Sequence, residues 1–135
     1  MDYAIKEVEG IGETYGDKLE GAGITDTGVL LEICGGKDGR KDIAEKTGIS
    51  ETYILEWVNL ADLMRVKGVG KQFAELLEAS GVDTVKELRH RNAANLAEKM
   101  TEVNAKKTLC SSNPSESQCQ DWIDQAKAME PAVEY

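Results

Sequence analysis

Apolar residues recur along the chain at helical spacing, and no segment alternates apolar and polar positions as a strand does. The clearest stretch has Ile54, Leu55, Val58 and Ala61 at helical spacing, and Ser50 stands before it as an N-cap candidate. The pattern predicts an all-α fold with helices at residues 2–8, 13–22, 40–47 and 71–80 and a loop at residues 37–39. Further helices are predicted after N-cap candidates at Thr25 or Asp26, at Ser50, at Asp83 or Thr84, at Asn92 and at Asn113. The predicted core includes Leu30, Ile43, Ile54, Leu76, Leu88, Leu96 and Ile123.

Two glycine-rich segments, residues 8–24 and 66–82, match at a constant offset of 58. Each has two glycines separated by one apolar residue, then a small residue, then a glycine that suits the left-handed end of a helix. The matched positions are Gly10 with Gly68, Gly12 with Gly70, Gly16 with Ala74, and Gly23 with Gly81. This spacing resembles that of a helix-hairpin-helix motif, so we expect one hairpin in each segment.

The similarity continues beyond the two hairpins. Residues 43–46 resemble residues 96–99, and residues 57–61 resemble residues 122–126. The offset drifts from 58 to 53 to 65, which places a five-residue deletion and a twelve-residue insertion in loops of the second copy. We therefore predict a duplicated five-helix unit with halves at residues 1–62 and 63–135, packed as one compact, pseudo-symmetric domain.

These motifs carry a resemblance to an uncharacterised family of small tandem helix-hairpin-helix proteins, which is known only as a domain of unknown function. Besides the hairpins, the resemblance rests on residues 48–51, 56–64 and 114–116. It implies a SAM-like, helix-hairpin-helix architecture and leaves the activity open. A more distant similarity is to the carboxy-terminal domain of the RNA polymerase alpha subunit, which contacts both DNA backbone and protein activators.

The charge of the chain is unevenly distributed. The net charge is −9, which opposes general binding to nucleic acid because neutralisation of phosphates dominates such affinity. Residues 1–62 contain 14 acidic and 6 basic residues, whereas residues 63–112 contain 6 acidic and 9 basic residues. If the chain meets phosphate, we expect the second hairpin to make the contact.

The first hypothesis for function is therefore a non-enzymatic module that holds the backbone of double-stranded nucleic acid without sequence specificity. Hairpin amides and the amino terminus of the following helix would face a phosphate, with basic side chains beside them. The first hairpin presents Glu7, Glu9 and Glu13 instead and would repel phosphate. The candidate nucleic-acid-binding residues are Arg65, Lys67, Gly68, Val69, Gly70 and Lys71.

The second hypothesis is a protein-interaction adaptor, or a small subunit of a larger assembly, in which both hairpins only support the fold. Trp57 and Trp122 lie at matched places in the two halves. They are either core residues or a pair of aromatic anchors for a protein partner, where tryptophan is over-represented.

The sequence favours no catalytic or metal site. Cys34, Cys110, Cys119 and His90 lack the close ligand pairs of a zinc site, and no phosphate-binding loop or nucleophile motif is present. We expect no enzyme activity, cofactor, metal or small-molecule substrate. The chain has no apolar run of membrane-spanning length and no secretory pattern at its amino terminus, so we expect a cytoplasmic protein without membrane contact.

Overall fold

The computed structural model describes residues 2–135, which form eight α-helices, one short 3-10 turn and no β-strand. The all-α prediction is confirmed. The 3-10 turn covers Ile5–Glu7. The helices are α1 (Gly12–Gly21), α2 (Thr27–Cys34), α3 (Lys37–Thr47), α4 (Glu51–Leu63), α5 (Lys71–Ala79), α6 (Val85–Leu88), α7 (Ala93–Lys107) and α8 (Glu116–Lys127).

Polar side chains begin most of these helices. Those of Asp26, Ser50, Thr84 and Asn92 each accept a hydrogen bond from a backbone N–H in the first turn of the following helix. Such a cap satisfies an amide that has no partner inside the helix. Ser50 and Asn92 were predicted as caps, and the structure confirms them. At the other two helices the sequence left two candidates each, and the structure has Asp26 rather than Thr25 and Thr84 rather than Asp83 as the cap.

Three predicted helix boundaries are wrong. The last helix begins after Ser115 rather than after Asn113, because Ser115 and Gln118 form a capping box. Helix α3 begins at Lys37 and so includes residues 37–39, which were predicted to form a loop. The predicted helix at residues 2–8 shrinks to the 3-10 turn, since Tyr3 and Ile5 exchange backbone hydrogen bonds with the extended segment at residues 25–27.

One core of buried apolar side chains runs through the described residues. All seven residues predicted for the core are at most 2% exposed. Helix α2 packs on α4, α6 and α7 pack on α8, and α5 packs on both α4 and α7. Helix α4 ends at Leu63 and leads directly into residues 66–82, the glycine-rich segment that we call the second hairpin. It therefore joins the two predicted halves of the chain. None of the described helices is both long and apolar enough to cross a lipid bilayer.

The two glycine-rich segments share a set of turn contacts. The N–H of Ile11 donates to the carbonyl of Val8 at 3.2 Å, and the N–H of Val69 donates to that of Val66 at 3.0 Å. The φ angles are +91° at Gly10 and Gly23, +98° at Gly68 and +93° at Gly81. These angles lie in a region that side chains disfavour, which explains the glycines.

The two turns are not identical. Gly12 has a φ of +63° and starts α1, whereas Gly70 has a φ of −98°, lies in the extended region and precedes α5. The second hairpin therefore enters its helix from an extended residue, as a conventional N-cap does.

Candidate functional site

Arg65, a candidate phosphate ligand, is held by groups of the protein itself. Its Nη1 lies 2.7 Å from Oδ1 of Asp62, whose side chain is only 2% exposed. Its Nη2 donates to the carbonyl of Glu130 at 2.9 Å. The other carboxylate oxygen of Asp62 accepts the N–H of Val85 at the start of α6. Arg65 thus joins α4, α6 and the segment after α8.

The backbone of the second hairpin is partly engaged as well. The side chain of Gln125 brackets Lys67, because its Oε1 accepts the Lys67 N–H at 2.8 Å and its Nε2 donates to the Lys67 carbonyl at 2.9 Å. The Val69 N–H donates to the Val66 carbonyl within the turn, and the predicted contact of this amide with a phosphate stays a prediction. The N–H groups of Gly68, Gly70 and Lys71 donate to no acceptor among the described residues.

The remaining two basic side chains differ in their surroundings. Nζ of Lys71 lies 3.3 Å from Oε2 of Glu9, so the second hairpin is bridged to the first. Lys67 is exposed, and its ammonium group forms no ion pair within residues 2–135. Of the three predicted cationic side chains, Lys67 is the one without an ion pair among the described residues, while Lys71 keeps 51% of its side chain exposed in a surface ion pair.

Trp57 and Trp122 are core residues in this structure, with 3% and 2% of their surfaces exposed. Each indole lies against the first glycine of a hairpin. A Cβ on Gly10 would lie 3.3 Å from Nε1 of Trp57, and one on Gly68 would lie 3.1 Å from Nε1 of Trp122. Their burial matches the core interpretation, and a role for either residue as a partner anchor stays a prediction.

An aromatic cluster in the first half leaves a groove that the sequence interpretation missed. The ring centroid of Tyr15 lies 5.2 Å from that of Trp57 and 6.0 Å from that of Tyr53, which is 46% exposed. These rings form one side of an open groove of about 380 Å³ between the first hairpin, α1, α4 and α5. We call this the aromatic groove; it is lined by Glu9, Gly10, Tyr15, Tyr53, Glu56, Trp57, Leu60, Glu75 and Glu78.

A comparison with known proteins identifies the family. The family model described as "Domain of unknown function (DUF4332)" matches residues 9–129. The chain belongs to this family. No curated protein and no solved structure matches the chain. The matched range of the DUF4332 domain includes residues 9–24 of the first glycine-rich segment and the whole of the second. It also includes both tryptophans and every residue of the aromatic groove.

Carboxylates surround the aromatic groove of this DUF4332 domain. Glu9 is paired with Lys71, while Glu56, Glu75 and Glu78 form no ion pair among the described residues. Burial raises the pKa of Glu75, and the charge of Glu9 raises it further, against the lowering effect of Lys71 and Lys107. Burial also raises the pKa of Glu78, and repulsion from Glu56, Asp83 and Glu75 adds to it. A cation in the groove would relieve this repulsion.

The cysteines of the DUF4332 domain do not form a metal site. All three are buried free thiols, and burial raises the pKa of Cys34 and of Cys119 to about 11. Residues 2–135 contain no cluster of three or more His, Cys, Asp or Glu side chains that is placed to hold a metal ion. The thiols act as small apolar side chains in the core.

Proposed function

We propose that this protein is a non-enzymatic interaction module that binds another protein, with the second hairpin serving as a structural element. The observation that carries the proposal is the aromatic groove, in which exposed Tyr53 and half-buried Tyr15 stand beside an indole edge. Aromatic side chains in a concave site supply much of the binding energy of protein interfaces. The ion pairs of Arg65 with Asp62 and of Lys71 with Glu9 favour a structural role for the second hairpin.

We further propose that the chain is a duplication of one helix-hairpin-helix unit. Turn hydrogen bonds, positive φ angles and indole–glycine contacts recur at the matched positions. The Tyr15–Trp57 pair also has a counterpart in Phe73–Trp122, with centroids 5.1 Å apart. Two independent folds of unrelated segments would have no reason to repeat contacts at the same offsets.

The compartment is a proposal of the same kind. The three cysteines are unpaired and buried, which suits a reducing environment such as the cytoplasm.

The test of the protein-binding role is affinity purification at low salt, with and without nuclease, followed by quantitative mass spectrometry. The parent protein should retain a defined set of proteins after nuclease treatment. Tyr53→Gln should reduce that set by about tenfold, because it removes the exposed ring from the groove. The replacement also gives α4 the Ser-x-x-Gln pattern that caps α8, so we expect the fold to persist.

A matched control is Tyr135→Gln, which alters a tyrosine that is 65% exposed and lies outside the groove. It should leave the retained set unchanged. Equal retention by the parent and Tyr53→Gln would refute the groove as the interaction site.

Binding of nucleic-acid backbone by the second hairpin is the second candidate function. It is supported by the exposed Lys67 side chain and by the free N–H groups of Gly68, Gly70 and Lys71 at the start of α5. The helix dipole adds partial positive charge at this end. The net charge of −9 and the pairing of Lys71 with Glu9 count against it.

This candidate predicts a measurable salt dependence. A footprint of two lysines corresponds to a slope of about −2 for log affinity against log salt, because each phosphate contact contributes about 0.9. Changing Lys67 and Lys71 to Glu should abolish duplex binding, while Glu9→Lys with Glu13→Lys should strengthen it. Fluorescence anisotropy with a labelled duplex at about 50 mM salt measures both. An absence of duplex binding by the parent would eliminate this candidate.

A further inference from the structure

A pair of hydrogen bonds in the second half of the chain has no counterpart in the first half, and a ligand could supply it there. Gln125 brackets the backbone of Lys67 with one acceptor and one donor. At the matched positions the first half has Leu60 and Glu9. Leucine offers no hydrogen bond, and both the N–H and the carbonyl of Glu9 lack a partner among the described residues. A peptide residue in extended conformation offers the same pair of groups as a carboxamide.

A second polar group on the groove also has no hydrogen-bond partner within the described residues. Only 3% of Trp57 is exposed, and its indole N–H donates to no acceptor in the described part of the chain. Its nitrogen lies beside Gly10, which lines the groove. The nitrogen reaches solvent, because among the described residues only Nε of Arg89 is a fully buried side-chain nitrogen or oxygen without a partner. A ligand with a carbonyl oxygen at this point would accept a hydrogen bond from the indole N–H.

The charges of the groove define the side chain that fits it. Glu56, Glu75 and Glu78 approach from α4 and α5 without a cationic partner within residues 2–135. Tyr15 and Tyr53 present rings beside these carboxylates. A guanidinium group binds carboxylates through a planar fork of N–H donors and also stacks on aromatic rings. Arginine therefore matches both features of the lining.

We infer that the aromatic groove binds an extended, arginine-bearing segment of a partner protein. The arginine lies between the tyrosine rings and the carboxylates of Glu56, Glu75 and Glu78, and the segment's backbone pairs with Glu9. This inference rests on the proposed protein-binding function and specifies the chemistry of its partner.

The probe is an acetylated and amidated Gly/Ser peptide of about nine residues that carries two arginines, titrated into the full chain by calorimetry at low salt. Its partner probe has citrulline at both positions, which keeps the shape and removes the charge. The arginine peptide should bind at least about tenfold more tightly, since hydrogen bonds to charged groups are the stronger ones. Equal affinity for the two peptides would overturn the inference.

Variants of the protein locate the site. Glu75→Gln with Glu78→Gln should weaken binding of the arginine peptide by about tenfold or more. The control is Glu116→Gln with Asp124→Asn on α8, an acidic surface that lacks aromatic residues. It changes the net charge equally and should have little effect. If both variant pairs weaken binding to the same extent, the attraction is general charge and the inference fails.

Leu60→Gln tests the backbone contact. It introduces the residue type that brackets Lys67 in the second half. Its carboxamide should hydrogen-bond the backbone of Glu9 and so weaken binding of the arginine peptide by about tenfold. Circular dichroism checks that the variant is folded. Because Leu60 is buried, Tyr53→Gln serves as an independent groove variant and should also weaken the peptide. Unchanged peptide affinity in folded Leu60→Gln and in Tyr53→Gln contradicts the inference.

The two proposals fail separately. If the arginine peptide does not bind at about millimolar concentration, the inference falls, but a partner set that depends on Tyr53 keeps the protein-binding function. If the partner set does not depend on Tyr53, the groove is no protein-binding site and both fall.

Discussion

Replacing Trp122 by alanine should lower the free energy of unfolding by about 3–5 kcal/mol, the usual cost of removing a large aromatic side chain from a core. Only 2% of Trp122 is exposed, its ring lies 5.1 Å from that of Phe73, and its indole covers the backbone at Gly68. The substitution therefore leaves a cavity between α8, α5 and the second hairpin. A close-packed interior relaxes only partly around such a cavity. Urea unfolding followed by circular dichroism at 222 nm measures the loss without relying on tryptophan fluorescence.

Trp57→Ala is the matched variant in the first half. If the two halves are copies of one unit, its cost should fall in the same range, because the indole contacts Gly10 and Tyr15 as Trp122 contacts Gly68 and Phe73. Tyr135→Ala is the control and should stay within about 0.5 kcal/mol, as exposed positions usually do. A loss below about 1 kcal/mol for either tryptophan would contradict its place in the core.

The helical fold could be predicted because its signals are local. Asp26 and Thr84 lie at equivalent positions before α2 and α6, and each caps its helix through a backbone N–H three residues later. Glycine at positions 23 and 81 is likewise required by the local φ angle. Capping and left-handed termini act within one helical turn, so residue type and spacing contain the necessary information.

The errors came where contacts between distant segments override local preference. Residues 2–8 have a helical composition, yet backbone hydrogen bonds of Tyr3 and Ile5 with residues 25–27 limit the helical part to the 3-10 turn at Ile5–Glu7. Residues 37–39 contain a glycine that suggested a loop. A Cβ on Gly39 would lie 1.7 Å from the Ile33 carbonyl, so this glycine allows α3 to pass close to α2.

The candidate site shows the same limit. The count of basic residues around the second hairpin contains no information about their partners, and Lys71 turns out to be bridged to Glu9 in the other half. The aromatic groove was not predicted, because it combines Tyr15 of α1 with Tyr53 of α4 and Glu75 of α5. Tyr53, Glu56 and Trp57 lie on neighbouring positions of one helical face, which was the available signal.

Removing the carboxylate of Asp62 should cost about 3 kcal/mol of unfolding free energy, the lower part of the range for breaking a buried ion pair. Asp62 accepts hydrogen bonds from Arg65 and from the N–H of Val85, so Asp62→Ala leaves both donors unmatched. Arg65 keeps access to water, with 27% of its side chain exposed, which places the loss at the lower end. Chemical denaturation of the variant measures it.

The double-mutant cycle with Arg65→Met separates a structural role for Arg65 from a role as a phosphate ligand. If Arg65 serves the fold, the double variant should lose less than the sum of the single losses, by about 1 kcal/mol or more, because the two side chains share one contact. The exposed pair Glu102 and Lys106, 4.0 Å apart, is the control and should show almost no coupling. Additive losses for Asp62 and Arg65 would mean that the ion pair contributes little, and Arg65 would again be a candidate for contact with phosphate. The coupling that we expect instead assigns Arg65 to the junction of α4 and α6, so that a phosphate contact at the second hairpin would depend on Lys67 and Lys71.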